Sequence, residues 1–323
     1  MMMKKIRLGI LGTSDVAFRR FMPALLNSPC FEYVGVASRS VEKTKKFTDA
    51  YGGKGFDGYD SLLSSEEVDA VYIPLPPALH YEWGKKALES GKHVFMEKPF
   101  TLDSQTTAEL ISLAREKNLI VQENYMFVFH PQIQVIREIL QSGKIGEIRL
   151  IRTAFGFPFR GVSDFRYNKE LGGGALFDCG GYPIKLVSSL IGDTVTLTDA
   201  HLGFTDSLDV DVYGSATLTG NGVSAQIAFG MDNSYKCELE VWGSKGCLKT
   251  DRIFTPPSDY VPVITVEVDG KVEPISVESS DNFLSSLNAF GKDILAGRMD
   301  ESSSAGILQQ SELVSKFREV RGV

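Results

Sequence analysis

The stretch Ile6-Arg-Leu-Gly-Ile-Leu-Gly-Thr-Ser-Asp-Val-Ala17 reads as a short apolar strand that breaks at Gly12 and runs straight into a helical pattern. A turn of this kind aims backbone N–H groups and the positive end of a helix at one spot, which suits a pyrophosphate. Against the spacing Gly-x-Gly-x-x-Gly, Gly12 occupies the tight turn, while Ser14 and Ala17 stand where the second and third glycines would be. Both are small enough to be tolerated, but the motif is incomplete, and alone it is as readily a plain strand-to-helix turn. Its surroundings favour the phosphate loop.

From Ile6 to about Asn124, β-rich runs alternate with helical ones. The strands are Ile6–Leu11, Glu32–Ser38, Val68–Pro74, His93–Glu97 and Ile120–Glu123, with helical stretches near Val16–Leu26, Val41–Tyr51, Leu79–Ser90 and Asp103–Lys117 between them. That alternation is how a parallel sheet covered by helices is written. After Pro131 the pattern changes. A helix to about Gln141, a strand near Glu147–Phe155 and a helix from about Asp178 give way to alternating runs at Val210–Leu218, Val223–Phe229, Glu238–Trp242 and Ile264–Val268. Asn221-Gly222 and Asp269-Gly270 supply the positive φ that two-residue hairpins need. Helices near Phe283–Ala296 and Ala305–Val320 close the chain. The expected fold class is α/β: a Rossmann doubly wound parallel sheet over residues 1–124, then an α/β domain with an open, mainly antiparallel sheet over residues 125–323.

A chain of 323 residues has room for two cores, and 43% hydrophobic with 23% charged residues is the composition of an ordinary folded protein. The net charge of −7 argues against nucleic acid as the main partner. Cys30, Cys179, Cys237 and Cys247 lack CxxC spacing, and His80, His93, His130 and His201 form no paired motif, so neither a metal site nor a disulfide framework is expected. The first residues mimic the charged start of a signal peptide, but Arg7 interrupts the apolar run. No window approaches the roughly 18 apolar residues of a membrane span. The expectation is a cytoplasmic protein with no membrane contact.

The end of the second strand bears on the choice of nicotinamide cofactor, because an acid there bonds a ribose 2′-hydroxyl and repels a 2′-phosphate. Here it reads Ala37-Ser38-Arg39-Ser40, with Lys43 one turn on. A hydroxyl followed by arginine favours NADP(H), with NAD(H) possible, and a solvated surface arginine is the plainer reading.

Further along, Met96-Glu97-Lys98-Pro99 ends the fourth strand, Pro74-Leu75-Pro76 with His80 follows the third, and Gly172-Gly173-Gly174-Ala175 leads to Asp178 and Tyr182. In this order, over nearly the whole chain, they resemble the glucose–fructose oxidoreductase, inositol dehydrogenase and rhizopine-catabolism family (Gfo/Idh/MocA). The resemblance implies a nicotinamide across the carboxyl ends of the parallel strands, with the Lys98–Pro99 region at its reactive side. It also implies a second-domain sheet that often serves oligomerisation, hence a homo-oligomer, dimer or tetramer. Many members carry Asp-x-x-x-His where this chain has Asp178-x-x-x-Tyr182-Pro183. Tyrosine there resembles the branch of dihydrodiol dehydrogenases, pyranose dehydrogenases and nucleotide-sugar 3-ketoreductases, which makes inositol an unlikely substrate. Ser14-Asp15-Val16-Ala17 with Arg19-Arg20 and Pro23-Ala24, and Glu123-Asn124-Tyr125-Met126-Phe127, are similar to the TDP-hexose 3-ketoreductases.

The cofactor contacts expected on this basis are Gly12, Thr13, Ser14, Asp15 and Val16 in the turn, Ser38, Arg39 and Lys43, then Leu75, Pro76 and His80, Glu97 and Lys98, Asn124, and Arg166. Substrate contacts are expected from Lys98, Tyr125, Phe127, Phe165, Asp178 and Tyr182, although a core strand explains Tyr125 and Phe127 more simply. Ketone reduction leaves an alkoxide that must gain a proton, so one placed acid/base serves both directions. Tyr182 can hold that proton and Lys98 can lower its pKa or bond the substrate oxygen. Asp178 orients Lys98 or a sugar hydroxyl, or else caps a helix. The expected activity is reduction of a 3-keto group on a nucleotide-linked deoxyhexose. The alternatives are a free aldose or trans-dihydrodiol dehydrogenase, or a dinucleotide-binding sensor without chemistry.

Overall fold

The computed structural model describes residues 5–298 and 301–319. The chain divides into two units, one holding the residues up to Asn124 together with Phe283–Leu308, the other Tyr125–Asn282 with the residues from Gln309 onward.

In the first unit, strands β1 (Ile6–Leu11), β2 (Phe31–Ser38), β3 (Lys54–Asp57), β4 (Ala70–Ile73), β5 (His93–Met96) and β6 (Val121–Glu123) form a parallel sheet in the order β3-β2-β1-β4-β5-β6. Leu8, Ile10 and Leu11 are wholly buried, as strands covered on both faces require. The strand order reverses between β1 and β4, which is where open α/β sheets leave a crevice at their carboxyl ends. Gly12 and the Pro74–Pro76 loop sit at those ends. The helix Asn282–Ala296, expected in the second domain, belongs to this unit instead. The Gln122 amide donates to the Ser286 carbonyl at 3.0 Å and hydroxyl at 2.9 Å, and Phe290 stacks against Phe31 at 6.0 Å. The span 125–323 is therefore interrupted, because the helix buries its aromatic stripe among first-unit residues.

The second unit carries β7 (Ile148–Gly156), β8 (Thr196–Thr205), β9 (Leu208–Gly220), β10 (Val223–Gly230), β11 (Lys236–Gly243), β12 (Gly246–Asp251), β13 (Val263–Val268) and β14 (Lys271–Ser276). Their order is β14-β13-β12-β11-β7-β10-β9-β8, antiparallel throughout except for the parallel pair β7 and β10. Both hairpin signals fall in turns, with φ of 50° and 76° at Asn221 and Gly222 and 51° and 72° at Asp269 and Gly270. Helix Pro131–Gln141 begins where His130 Nδ1 accepts the Gln132 N–H at 3.0 Å. The apolar members of the strands, such as Ile151, Ile227, Leu239 and Val241, are buried. Alternate positions on the other face are charged: Arg152 donates to Gln226 at 3.1 Å and Lys249 pairs with Glu240 at 3.3 Å. Among the described residues no helix is long and apolar enough to cross a membrane, and no group of three or more His, Cys, Asp or Glu could hold a metal ion.

Candidate active site

Gly12 sits at φ +115°, where an L side chain is strained, and a Cβ there would meet Leu75 Cδ2 at 2.8 Å. Only glycine lets the end of β1 lie against the loop after β4. Ser14 Oγ accepts the Ala17 N–H at 3.2 Å, and Thr13, Ser14 and Val16 stay half-buried at the helix start. Asp15 pairs with Arg19 at the surface. The residues present suit a dinucleotide pyrophosphate, because the turn keeps a bare backbone where a side chain would block it.

Ser38 is buried at the end of β2, and Arg39 and Lys43 are exposed. Arg39 stands near Tyr59, whose phenol is pushed up by burial while the Arg39 charge pulls it back. The sequence reading missed Glu42, whose carboxylate accepts a hydrogen bond from Ser40 and is held below its usual range by it. A negative charge therefore shares the turn with Arg39.

On the other side of the crevice the Lys98–Pro99 peptide is cis. Glu97 accepts from the Tyr72 hydroxyl at 2.7 Å and from the Asn124 amide at 2.8 Å. Asn124 has no exposed surface, and its own oxygen takes the Ser286 hydroxyl at 3.0 Å, so it braces Glu97 and offers nothing directly to a cofactor. His80 is likewise fully buried, with Nδ1 2.7 Å from the Pro99 carbonyl and Nε2 2.8 Å from the Leu75 carbonyl. Burial pushes its pKa down, with the nearby Lys98 charge acting in the same direction. His80 ties the Leu75–Pro76 loop to the Lys98–Pro99 loop; it reaches a cofactor only through them.

In the second unit the chain enters by Gly172-Gly173-Gly174, makes a wide π-helical turn over Leu176–Gly180, and continues as helix Gly181–Ile191. Pro183 lacks an N–H to return to the preceding turn, which suits the wide turn just before it. Asp178 lies in that turn and Tyr182 one step into the helix. The Tyr182 ring is 6% exposed and packs against Tyr125 at 5.2 Å, Phe127 at 5.8 Å, Phe155 at 4.9 Å and Phe254 at 5.7 Å. Tyr125 and Phe127 are 1% and 0% exposed, so neither presents a face to substrate; both support the Tyr182 ring. Burial removed them from the cleft, as the core reading allowed.

Arg166 is committed to carboxylates: Nε donates to Asp178 at 2.8 Å and Nη1 to Asp164 at 3.1 Å, with its guanidinium over the half-buried Phe165 ring. Burial opposes its charge, but Asp178 and Asp164 more than offset this and push its pKa up. Arg166, expected at the cofactor, is held in this structure by Asp178 and Asp164. The sequence reading also missed Arg160, over Phe157 at 4.5 Å, and Arg252, with φ 52° and over Tyr235 at 4.8 Å. Both are exposed at the sheet end where β7 and β12 finish. Only the positive φ of Arg252 distinguishes it, and spacing does not record that.

Two family models match the chain: the Gfo/Idh/MocA oxidoreductase family with NAD-binding Rossmann fold over residues 6–125, and the Gfo/Idh/MocA C-terminal domain over residues 133–249. A dTDP-3,4-didehydro-2,6-dideoxy-alpha-D-glucose 3-reductase of Actinomadura kijaniata is 41% identical over 97% of this chain and 95% of its own. A protein of the same name from Streptomyces violaceoruber is 40% identical over 98% and 95%. Among solved structures, a 3-ketoreductase from Actinomadura kijaniata in complex with NADP and TDP-benzene superposes with a TM-score of 0.95 at 40% identity, covering 98% of both chains. That protein has also been solved with a tyrosine replaced by phenylalanine and with a lysine replaced by alanine.

Proposed function

The chain belongs to the Gfo/Idh/MocA oxidoreductase family, and from that premise we propose that it reduces the 3-keto group of a nucleotide-linked keto-deoxyhexose with NADPH. The observation that carries this reading is similarity over almost the full chain to 3-reductases of a dTDP-linked didehydro-dideoxyglucose. Bound NADPH supplies the hydride that converts the ketone carbon to a carbinol. The oxygen that gains charge takes the phenolic proton of Tyr182. A tyrosine with its ordinary pKa of about 10 gives that proton faster when a cation stabilises the phenolate left behind, and Lys98 is assigned that task. Asp178, pinned by Arg166, orients a sugar hydroxyl or the tyrosine. Among the exposed cations of the second unit, Arg160 and Arg252 are the ones we assign to a diphosphate.

A coupled assay of NADPH oxidation across dTDP-linked 3-keto sugars, free aldoses and trans-dihydrodiols tests this. Turnover confined to the nucleotide sugars is expected. Turnover only with free sugars or diols would replace the reading with a dehydrogenase of that class.

Tighter binding of NADPH than NADH is expected, with Arg39→Ala narrowing the gap roughly tenfold or more, since a charge-assisted bond to the 2′-phosphate is lost. Titration of both cofactors into both proteins measures it. Equal wild-type affinities would leave Ser38, Arg39 and Lys43 without that assignment, and tighter binding of NADH would point to Glu42 as the deciding residue.

We further propose a cytoplasmic homo-oligomer, dimer or tetramer, joined through the open sheet face. That face carries Arg152, Glu240 and Lys249, and Trp242, 57% exposed, is its candidate anchor. Light scattering that reads a monomer at high concentration removes the claim.

A further inference from the structure

A carboxylate with no part in the chemistry above bonds the start of the turn that carries Asp178 and leads into Tyr182. Asp211, on β9, is partly buried, and its Oδ2 accepts the Leu176 N–H at 2.7 Å, with the Ala175 N–H as a further donor. Its Oδ1 fills the space into which a Cβ on Gly174 would point, and Gly174 holds φ +122°. From the opposite side, the Gly173 N–H donates to the Asn168 carbonyl and the Gly174 N–H to the Arg166 carbonyl, both at 2.9 Å. The wide turn has no side-chain cap from within its own segment. The first N–H groups of a helical segment need acceptors, and a carboxylate at that end is a favoured one. Asp211 supplies it from a strand 35 residues away.

We propose that Asp211 is a positioning residue for the reaction: it fixes the first turn of the segment, so that Asp178 and the Tyr182 hydroxyl hold a single geometry. The proposal rests on the roles given to those two residues above. A plain stabilising role is the competing account, and turnover read beside Tm in the variants below separates the two. Burial pushes its pKa up to about 6, while the Leu176 N–H and the Arg318 charge pull in the other direction. The charged group acting on it is Arg318, on helix Glu301–Glu319, while Asp178, paired with Arg166, lies on the segment it caps. A folded-state pKa raised above the unfolded one contributes stability at low pH that is lost as pH rises through about 6. At neutral pH the ionised carboxylate therefore favours folding less than its protonated form does, so the neutral amide of Asp211→Asn is not expected to lower Tm.

The test compares wild type, Asp211→Asn and Gly174→Ala at pH 7.5. In the first variant the charge is removed at nearly constant shape. In the second, a Cβ is driven against the same carboxylate. Both are expected to lower kcat at least about tenfold with NADPH affinity unchanged, and the Asn variant to keep Tm within about 2 °C of wild type or above it. Hydrogen–deuterium exchange of the amides in residues 175–182 is expected to quicken about tenfold or more in both, with β10 and β11 unaffected. If wild type turns over no nucleotide sugar, the functional reading fails and exchange alone decides the positioning. Unchanged exchange in both variants overturns the proposal. So does an Asn variant that fails to fold or loses more than about 5 °C in Tm, because Asp211 is then structural.

Discussion

Replacing Tyr182 with phenylalanine is expected to lower turnover by roughly 10²–10⁴ while leaving cofactor affinity nearly unchanged, the usual contribution of one placed acid/base. The phenyl ring keeps its contacts with Tyr125, Phe127, Phe155 and Phe254, so the substitution deletes a proton and little packing. Lys98→Met should also slow the reaction, with some loss of binding, if its charge has the role proposed for it toward the phenol and the developing alkoxide. The double variant should lose less than the two single penalties multiplied together if the residues act as one unit. Stopped-flow single turnovers and direct NADPH titration separate chemistry from binding. A Tyr182→Phe enzyme with wild-type single-turnover rates at every pH would make the tyrosine a packing residue.

The second large effect is expected at Arg166, and there it is read first in stability. Arg166→Met leaves Asp164 and Asp178 facing each other without their shared cation. All three side chains are mostly buried, at 22% exposure for Arg166, 21% for Asp164 and 11% for Asp178. Breaking such a pair from one side costs about 3 kcal/mol, a fall in Tm on the order of 5–10 °C. Adding Asp164→Asn to the variant should restore part of the loss, since one uncompensated charge disappears. Scanning calorimetry of the three proteins checks both statements, and an unchanged Tm in Arg166→Met would mean that water already satisfies the two carboxylates.

Much of the first unit could be read ahead of the structure because its strands are apolar runs cut off by glycine, proline or charge. The β3 strand escaped: it is four residues long and buries only Phe56, so neither run length nor alternation marks it. Lys98, Asp178 and Tyr182, to which we assign the chemistry, stood out in the sequence through the family motifs that hold them, whereas the residues that pack against them did not. In β9, Asp211 stands between the buried Val210 and Val212, the position of a solvent-facing residue in an alternating strand. The β8–β9 pairing shifts register on either side of Phe204, which lies opposite Asp211, and irregularities of this kind re-aim side chains. No local pattern encodes that. Tyr125 and Phe127 illustrate the converse, since aromatic residues near a motif look the same whether they line a cleft or back its tyrosine.

The return of helix Asn282–Ala296 to the first unit also bears on how the polypeptide acquires its structure during synthesis. Translation emits the six parallel strands first, yet the helix that brings Phe290 against Phe31 and Phe95 follows some 160 residues behind β6. Until the ribosome has released it, those two rings lack their Phe290 neighbour and the Gln122 amide lacks Ser286. The amino-terminal sheet must therefore wait as an incomplete nascent body while everything from Tyr125 to Asn282 is made, the interval in which a chaperone has most to protect.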